Sequence, residues 1–201
     1  MRVLVACEFS GIVREAFAKR GHDAWSCDLL PTEIPGKHIQ GDILGVIRGI
    51  AAKYWDIMIA FPPCTYLCGA GLNWINRQPG RREKIKEALN FVIALVNAPI
   101  PKIAIENPVG LLSTLFRKPD QYIQPYYFGD KFQKKTCLWV KNLPLLIPTN
   151  IVDRGEIYIQ KNGKSRGGKW TMGIPGNSPD KWKIRSRTFQ GIANAMAEQW
   201  G

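Results

Sequence analysis

The sequence predicts an α/β protein built on a doubly wound sheet with helices on both faces. Short apolar runs rich in valine and isoleucine alternate with segments of helical periodicity between residues 1 and 117. Polar and small residues follow directly where several of the apolar runs end. The 201 residues suit one domain with a small appendage, and 45% apolar residues are enough for a substantial core.

Each element has a local signal. Apolar runs predict strands, and apolar residues recurring at i, i+3 and i+4 predict helices. Gly21 ends the first helix, and Pro62-Pro63 end the fourth strand because proline cannot donate to a sheet ladder. The predicted strands are 2–7, 23–27, 38–40, 55–60 and 102–105, followed by 122–128, 137–140 and 157–160 in a less regular region. The predicted helices are 12–20, 43–53, 82–96, 111–117 and 186–200.

Residues that can carry chemistry follow the predicted strands. In a doubly wound sheet, ligands bind outside the carboxyl ends of the strands. We therefore expect these residues to gather along one rim of the sheet. They are Phe9-Ser10-Gly11, Asp28, Asp42, Pro63-Cys64 and Glu106-Asn107.

The chemistry of this rim suggests a nucleotide cofactor and a covalent reaction. A Cys64 thiolate is a soft nucleophile that can add to an electron-poor ring, and a protonated Glu106 can hydrogen-bond a pyrimidine nitrogen. Phe9-Ser10-Gly11 offers close backbone approach to a ligand. Asp28 stands where a ribose-binding carboxylate belongs, and Asp42 can accept from an adenine amino group. The structural alternatives are a buried thiol, a strand-ending turn and two turn carboxylates.

The positive charge points to a polyanionic partner. The net charge is +12 at pH 7 and the pI is about 9.7, values that favour nucleic acid. Trp170 and Trp182 lie among the cations of the last basic group, which suits stacking on bases as well as contact with phosphates. A solvated basic face over core tryptophans is the alternative. The three basic groups span residues 77–86, 131–141 and 161–187.

The cysteines and the N-terminal residues indicate a cytoplasmic protein with free thiols. The five cysteines are an odd number, and the first residues read as a strand and turn rather than a signal peptide. No apolar run is long enough to cross a membrane. Cys64 and Cys68 lack a second ligand pair, and His22 and His38 are not spaced as in a zinc finger, so we expect no metal.

In their order along the chain, the motifs resemble those of the DNA cytosine-5 methyltransferases in a shortened form. Phe9-Ser10-Gly11 is similar to the family's Phe-x-Gly-x-Gly, and Glu106-Asn107-Pro108 to its Glu-Asn-Val. Phe61-Pro62-Pro63-Cys64, followed by the predicted loop Gly69-Ala70-Gly71, is similar to its nucleophile loop. Gln133-Lys134-Lys135 stands where the family carries Gln-x-Arg-x-Arg, and residues 185–200 resemble its final helix. The resemblance covers most of the chain and implies a Rossmann-like methyltransferase sheet.

The resemblance implies methyl transfer from S-adenosylmethionine to C5 of cytosine in DNA. Cys64 forms a covalent adduct with the base, Glu106 assists at N3, and on duplex DNA the base is first flipped out of the stack. The implied cofactor residues are Phe9, Ser10, Gly11, Asp28, Asp42 and Pro62. The implied substrate residues are Pro63, Asn107, Gln133, Lys134 and Lys135. A compact enzyme of this kind suits a phage or prophage, acting in the cytoplasm of a bacterial host.

Departures from the family leave alternatives open. Val13 replaces the second glycine, Cys7-Glu8 stand where an aspartate is expected, and lysines replace arginines that they do not match chemically. Residues 143–183 form only a small irregular basic insert in place of a target-recognition domain. We therefore predict a methyltransferase domain of residues 1–142 and 184–201. A pyrimidine-modifying enzyme for free nucleotide, single-stranded DNA or RNA, or a catalytically silent nucleic-acid-binding module, remains an alternative.

Overall fold

A mixed seven-stranded sheet forms the centre of the computed structural model, which describes residues 1–75, 77–159, 163, 165–169, 174 and 178–201. The strands are β1 (Arg2–Ala6), β2 (Asp23–Asp28), β3 (His38–Gln40), β4 (Ile57–Ala60), β5 (Lys102–Pro108), β6 (Gln121–Ile123), β7 (Thr136–Lys141), β8 (Ile157–Ile159) and β9 (Ser165–Gly168). The helices are α1 (Ile12–Ala18), α2 (Ile43–Val46), α3 (Gly49–Ala52), α4 (Arg81–Val96), α5 (Leu112–Leu115), α6 (Lys181–Ser186) and α7 (Gln190–Trp200). Two 3-10 helices span Gly69–Trp74 and Pro125–Tyr127.

The strand order confirms the predicted doubly wound α/β class. The order is β3-β2-β1-β4-β5-β7-β6, with β3 to β5 parallel and β7 antiparallel to both of its neighbours. The chain winds outward from β1 to β3 and then returns to place β4 on the other side of β1. This reversal is a topological switch point, where the loops that follow β1 and β4 diverge and leave a crevice.

Both faces of the sheet are covered by helices. One face packs against α1 and α7, and Val5, Ile59 and Met196 are fully buried there. The other face packs against α2, α3 and α4, and Leu4 and Ile103 are buried there. Burial on both faces explains why the central strands are continuous apolar runs rather than alternating ones. No helix among the described residues has the length and apolar character needed to cross a membrane.

Several element boundaries differ from the sequence prediction. Strand β5 continues to Pro108 instead of ending at residue 105, because β7 pairs with it antiparallel up to Thr136. The predicted helix 43–53 is two short helices, α2 and α3, since the backbone leaves helical geometry at Ile47. The strand predicted over 122–128 ends at Ile123, and a 3-10 helix begins at Pro125, which has no amide to donate.

Two other segments also fold differently from the prediction. The loop predicted around Gly69-Ala70-Gly71 is the first part of a 3-10 helix. The final helix predicted over 186–200 begins only at Gln190, as α7, because Arg187 and Phe189 are extended. The preceding helix α6 was not predicted. Trp182 of α6 contacts Phe9, whereas α7 packs against α1.

The segment from residue 143 onward is anchored before it leaves the main sheet. Leu146 is buried in the core, and the amide of Ile147 donates to Gln199 Oε1 in α7 at 2.7 Å. Farther along, β8 and β9 form a separate two-stranded antiparallel sheet. At the opposite, amino-terminal edge of the main sheet, the Met1 amino group lies 3.2 Å from His22 Nδ1. Gly201 lies against the same imidazole ring, so both ends of the chain meet there.

Candidate active site

The turn after β1 is closed by a buried carboxylate that the sequence analysis did not single out. Glu8 is almost fully buried and accepts hydrogen bonds from the amides of Val13 at 2.7 Å and Arg14 at 3.3 Å. The Ser10 hydroxyl also donates to Glu8, at 3.2 Å. Burial raises the pKa of Glu8 to about 7, although these donors act in the opposite direction. Glu8 thus occupies the first amides of α1, and Ser10 is turned inward.

Arg14 is the second residue that sequence reasoning missed. Its side chain is fully buried, and its guanidinium donates to Ser26 Oγ at 3.1 Å and to the Ile34 carbonyl at 2.6 Å. A Cβ added at Gly11 or at Gly36 would come within 2.8 Å of this guanidinium. Gly11, with a φ of 78°, therefore gives room to Arg14 and to a left-handed backbone. The only signal in the sequence was an arginine three residues after the glycine of a turn.

Phe9 marks the apolar wall of the crevice. The residue is nearly buried, and its carbonyl accepts from the Glu33 amide at 2.8 Å. Trp182 of α6, half of which is exposed, stacks at a tilt on the Phe9 ring with 6.0 Å between centroids. Arg187 forms two hydrogen bonds to the Glu33 carboxylate, at 2.7 and 2.8 Å. The segment around α6 therefore lies across the loop that follows β1.

Asp28 and Asp42 come together beside the carboxyl end of β1. Burial raises the pKa of both Cys7 and Cys27, and the charges of Asp28 and Asp42 add to the rise at each thiol. Asp28 accepts from the Leu30 amide at 3.0 Å, and Asp42 caps α2 by accepting from the Leu44 amide at 2.9 Å. Both carboxylates therefore belong to local turns, as the structural interpretation expected, and both lie near the thiols of Cys7 and Cys27.

The turn that carries Cys64 is held by neighbouring strands. Asn107 is fully buried in β5 and donates from Nδ2 to the Pro62 carbonyl at 2.9 Å. The Cys68 amide donates to the Cys64 carbonyl at 2.8 Å, so residues 64–68 form one helical turn. On the other side, a Cβ at Gly110 would lie 2.1 Å from a carbonyl oxygen of this turn. Asn107 and Gly110 together fix the position of the turn that carries Cys64.

The surroundings of Cys64 favour the protonated form of its thiol. A hydrogen bond with Cys68 raises the pKa of Cys64 well above its usual range, and burial adds to the rise. The charge of Glu106 acts in the same direction, and the charge of Lys134 acts in the opposite direction. The four groups are therefore close enough to influence one another at the carboxyl ends of β4 and β5.

Glu106 borders a small cavity above the sheet. The cavity has a volume of about 20 Å³, enough for roughly one water molecule. Burial raises the pKa of Glu106, while the charge of Lys134 opposes the rise. The lining residues are Phe61, Glu106, Ile123, Lys134, Thr136, Ser186, Thr188, Phe189 and Ile192.

The three residues of the Gln133-Lys134-Lys135 motif have different surroundings. Lys134 borders the Glu106 cavity, and its ammonium donates to the Arg185 carbonyl at 2.8 Å. Lys135 is exposed and lies over the Tyr122 ring, with its Nζ 4.2 Å from the centroid. Gln133 is packed against β9, where a Cβ at Gly168 would come 2.8 Å from its carbonyl oxygen. Only Lys134 of this motif is placed beside the predicted catalytic carboxyl.

The other predicted site residues are distributed around the crevice. Pro62 supplies its carbonyl to Asn107, and Pro63 is exposed between Pro62 and the nucleophile. Trp170, with Lys161 and Lys164, lies outside the described residues. Within the described part of the chain, no group of three or more histidine, cysteine or acidic residues is arranged to hold a metal ion.

Comparison with known proteins identifies the fold. No protein family profile matches the chain, and no curated protein sequence is similar to it. Among solved structures, it is similar to a prophage-encoded E. coli protein described as a DNA modification methyltransferase, with a TM-score of 0.51 and 14% sequence identity. The match covers 75% of this chain and 51% of that protein, so the chain spans about half the length of the protein it matches. The chain therefore has a methyltransferase-like α/β fold over three quarters of its length.

Proposed function

We propose that this protein is a methyltransferase that transfers a methyl group from S-adenosylmethionine to C5 of cytosine in DNA. The observation that carries the proposal is the grouping of Cys64, Glu106 and Lys134 at one edge of the sheet. Cys64 and Glu106 lie at the carboxyl ends of β4 and β5, and Lys134 precedes the antiparallel strand β7. A nucleophile, a neutral acid and a cation are the groups that addition to a pyrimidine ring requires. The fold shared with a DNA modification methyltransferase supports the same class of reaction.

The residues of the crevice fit S-adenosylmethionine. Asp28 and Asp42 offer carboxylate acceptors, which match the hydroxyl and amino donors of an adenosine group. Phe9 offers an apolar wall, whereas Gly11 is packed against Arg14 and leaves no space at its Cα. Asp28, Asp42 and Phe9 would hold the adenosine end, and the buried Ser10 and Gly11 would shape the turn from behind. When bound there, S-adenosylmethionine supplies an electrophilic methyl group.

The reaction proceeds through a covalent bond to the base. Cys64 would give its proton to solvent water and its sulfur would add to C6 of cytosine, while the Glu106 carboxyl would donate a proton to N3. The electron pair released at C5 would bond to the methyl group, and the electron pair of the broken C–S bond would stay on the sulfur of the cofactor. A base removes the C5 proton, the Cys64–C6 bond breaks, and the proton at N3 returns to Glu106. Burial raises the pKa of Glu106, which favours the protonated carboxyl that the addition step requires.

Lys134 favours the thiolate form of Cys64. Its ammonium lowers the pKa of Cys64, against the combined effect of Cys68, burial and Glu106. In the described structure it donates to the Arg185 carbonyl, which precedes the segment that lines the Glu106 cavity. A cytosine ring is far larger than a cavity for one water molecule, so entry of the base displaces residues 186–189. That displacement also releases Lys134 toward the reacting groups.

The proposal is tested by product analysis. The protein is incubated with S-adenosylmethionine and unmethylated DNA, and the digested nucleosides are examined by mass spectrometry for 5-methyldeoxycytidine. Cys64→Ala should abolish the product, whereas Cys68→Ala, which removes the other thiol of the same turn, should retain it. DNA with 5-fluorocytosine should trap the adduct, because fluorine at C5 cannot leave as a proton.

Parallel reactions separate the alternatives. Methylated adenine or N4-methylcytosine would overturn the C5 assignment while leaving a methyltransferase. Product on dCMP, single-stranded DNA or RNA, and none on duplex DNA, would assign the substrate to that class. Salt-dependent DNA binding with no methyl transfer to any of these substrates would identify a binding module instead.

A further inference from the structure

A second, larger hollow lies beside the Glu106 cavity and has no role in the proposed reaction. It is open to solvent and has a volume of about 700 Å³, a size typical of ligand sites. The chain segment 131–136 connects the two, since Lys131 and Phe132 line the hollow and Lys134 and Thr136 line the cavity. The described residues that line the hollow are Lys131, Phe132, Asp153, Gly155, Glu156, Lys169 and Ile174.

Two aromatic side chains in contact connect the hollow with the Glu106 cavity. The rings of Phe132 and Phe189 are 5.4 Å apart and inclined by only 32°, close to an offset stack. Phe189 is buried and borders the Glu106 cavity, whereas 37% of Phe132 is exposed at the hollow. On the far side, the Lys134 ammonium lies 5.9 Å from the Phe189 centroid. A planar group resting on Phe132 would therefore extend a stack that leads to the catalytic cavity.

The charges of the described lining residues favour a neutral occupant. Lys131 and Lys169 are matched by Asp153 and Glu156, so the formal charges of the described lining residues sum to zero. Glu156 forms an ion pair with Lys169, and Asp153 accepts from the Gly155 amide at 2.8 Å. A phosphate group would meet both carboxylates here. A nucleobase has a π-face and no formal charge, and the basic residues elsewhere on the chain attract its backbone.

We propose that this hollow binds an unpaired nucleobase next to the target cytosine on the same strand, stacked on Phe132. The proposal rests on the proposed function in taking DNA as the substrate. It goes further in requiring that a base near the target leaves its own stack. The reactive segment of the strand is then single-stranded over more than one nucleotide, and a substrate with an already unpaired segment should bind more tightly than a perfect duplex.

The test combines substitutions of Phe132 with the removal of single bases from the oligonucleotide. Dissociation constants are measured by fluorescence anisotropy, without S-adenosylmethionine, for single-stranded oligonucleotides that contain one cytosine. Phe132→Leu keeps an apolar contact with Phe189 but removes the stacking face, and Phe132→Trp retains that face. Tyr54→Leu is the matched control, because Tyr54 is an exposed aromatic residue hydrogen-bonded to Asp23, at the amino-terminal edge of the sheet.

We expect Phe132→Leu to weaken binding by about 5- to 150-fold, the usual effect of losing one base–aromatic stack. Phe132→Trp and Tyr54→Leu should bind like the unmodified protein. An abasic site is then moved through the positions that flank the cytosine. At one position it should weaken binding to the unmodified protein but cause no further loss with Phe132→Leu, because the two changes remove the same contact.

Unchanged binding of Phe132→Leu, or losses that simply add at every abasic position, would overturn the proposal. Thermal unfolding of each variant shows whether a loss of binding reflects a loss of folding. The binding assay is independent of methyl transfer. A protein that shows this coupling but forms no 5-methyldeoxycytidine would refute the proposed function alone, and an active protein without the coupling would refute the stacking site alone.

Discussion

Replacing Asn107 with aspartate should make the stability of the protein depend steeply on pH. Asn107 is fully buried, its Nδ2 donates to the Pro62 carbonyl at 2.9 Å, and its Oδ1 has no hydrogen-bond partner among the described residues. Asn107→Asp preserves the shape of the side chain. At neutral pH, however, it places a carboxylate against a carbonyl oxygen, with no donor among the described residues to stabilise the charge.

The size of the effect follows from the position of the new pKa. If burial keeps the carboxyl protonated up to pH 7, its pKa rises by about 3 units from a normal 3.9, which costs about 4 kcal/mol at pH 7. A raised pKa in the folded state costs nothing below the unfolded pKa and progressively more as the pH rises. The protonated carboxyl can still donate to Pro62. The variant should therefore approach the stability of the unmodified protein near pH 4.

Urea unfolding of both proteins between pH 4 and pH 7 measures this difference. We expect the free energy of unfolding of Asn107→Asp, relative to the unmodified protein, to fall by about 1.4 kcal/mol per pH unit. Taking the difference removes contributions from other titrating groups. A constant difference across this range would show that water or a donor reaches residue 107. It would refute the assignment of Asn107 as a buried hydrogen bond between β5 and the turn that carries Cys64.

Three other perturbations follow from the same structure. Because burial raises the pKa of Glu8 to about 7, Glu8→Gln should gain about 3 kcal/mol of relative stability between pH 4.5 and pH 7 in urea titrations, and parallel curves would contradict this. Gly110→Ala places a Cβ 2.1 Å from a carbonyl oxygen and should cost at least about 2 kcal/mol, whereas Gly45→Ala, with open space around it, should cost nothing in the same thermal assay. Arg187→Ala breaks an exposed ion pair with Glu33 and should change stability by less than about 1 kcal/mol, yet speed amide hydrogen exchange in the segment after α6; unchanged exchange would show that the pair does not hold this segment.

The strand ends could be predicted because they depend on local patterns. The apolar runs ending before Phe9, Asp28 and Cys64 are parallel strands, and parallel strands of one sheet place their carboxyl ends at the same edge. Cys64 and Glu106 therefore come together as expected. Their roles in catalysis stay predictions, as do the cofactor and substrate assignments of their neighbours.

Features that depend on distant pairing could not be predicted from local patterns. Glu106 lies inside β5 because β7 pairs with it across 32 residues of sequence, at Leu138. Glu8 and Arg14 look like surface residues at a turn, but each is buried by partners that the fold brings to it. Lys134 and Lys135 are neighbours in sequence, yet only Lys134 borders the cavity, since adjacent residues of an extended segment point to opposite sides.

The meeting of Met1 and Gly201 at His22 has a practical consequence for any added sequence. Both ends of the chain lie at the amino-terminal edge of the sheet, whereas Cys64 follows β4 and Glu106 lies near the carboxyl end of β5. A tag or reporter joined at either end therefore starts at the opposite edge of the sheet from Cys64 and Glu106. A short linker between the two ends would close the chain into a circle, and new termini could then be opened in the exposed turn at Gly80.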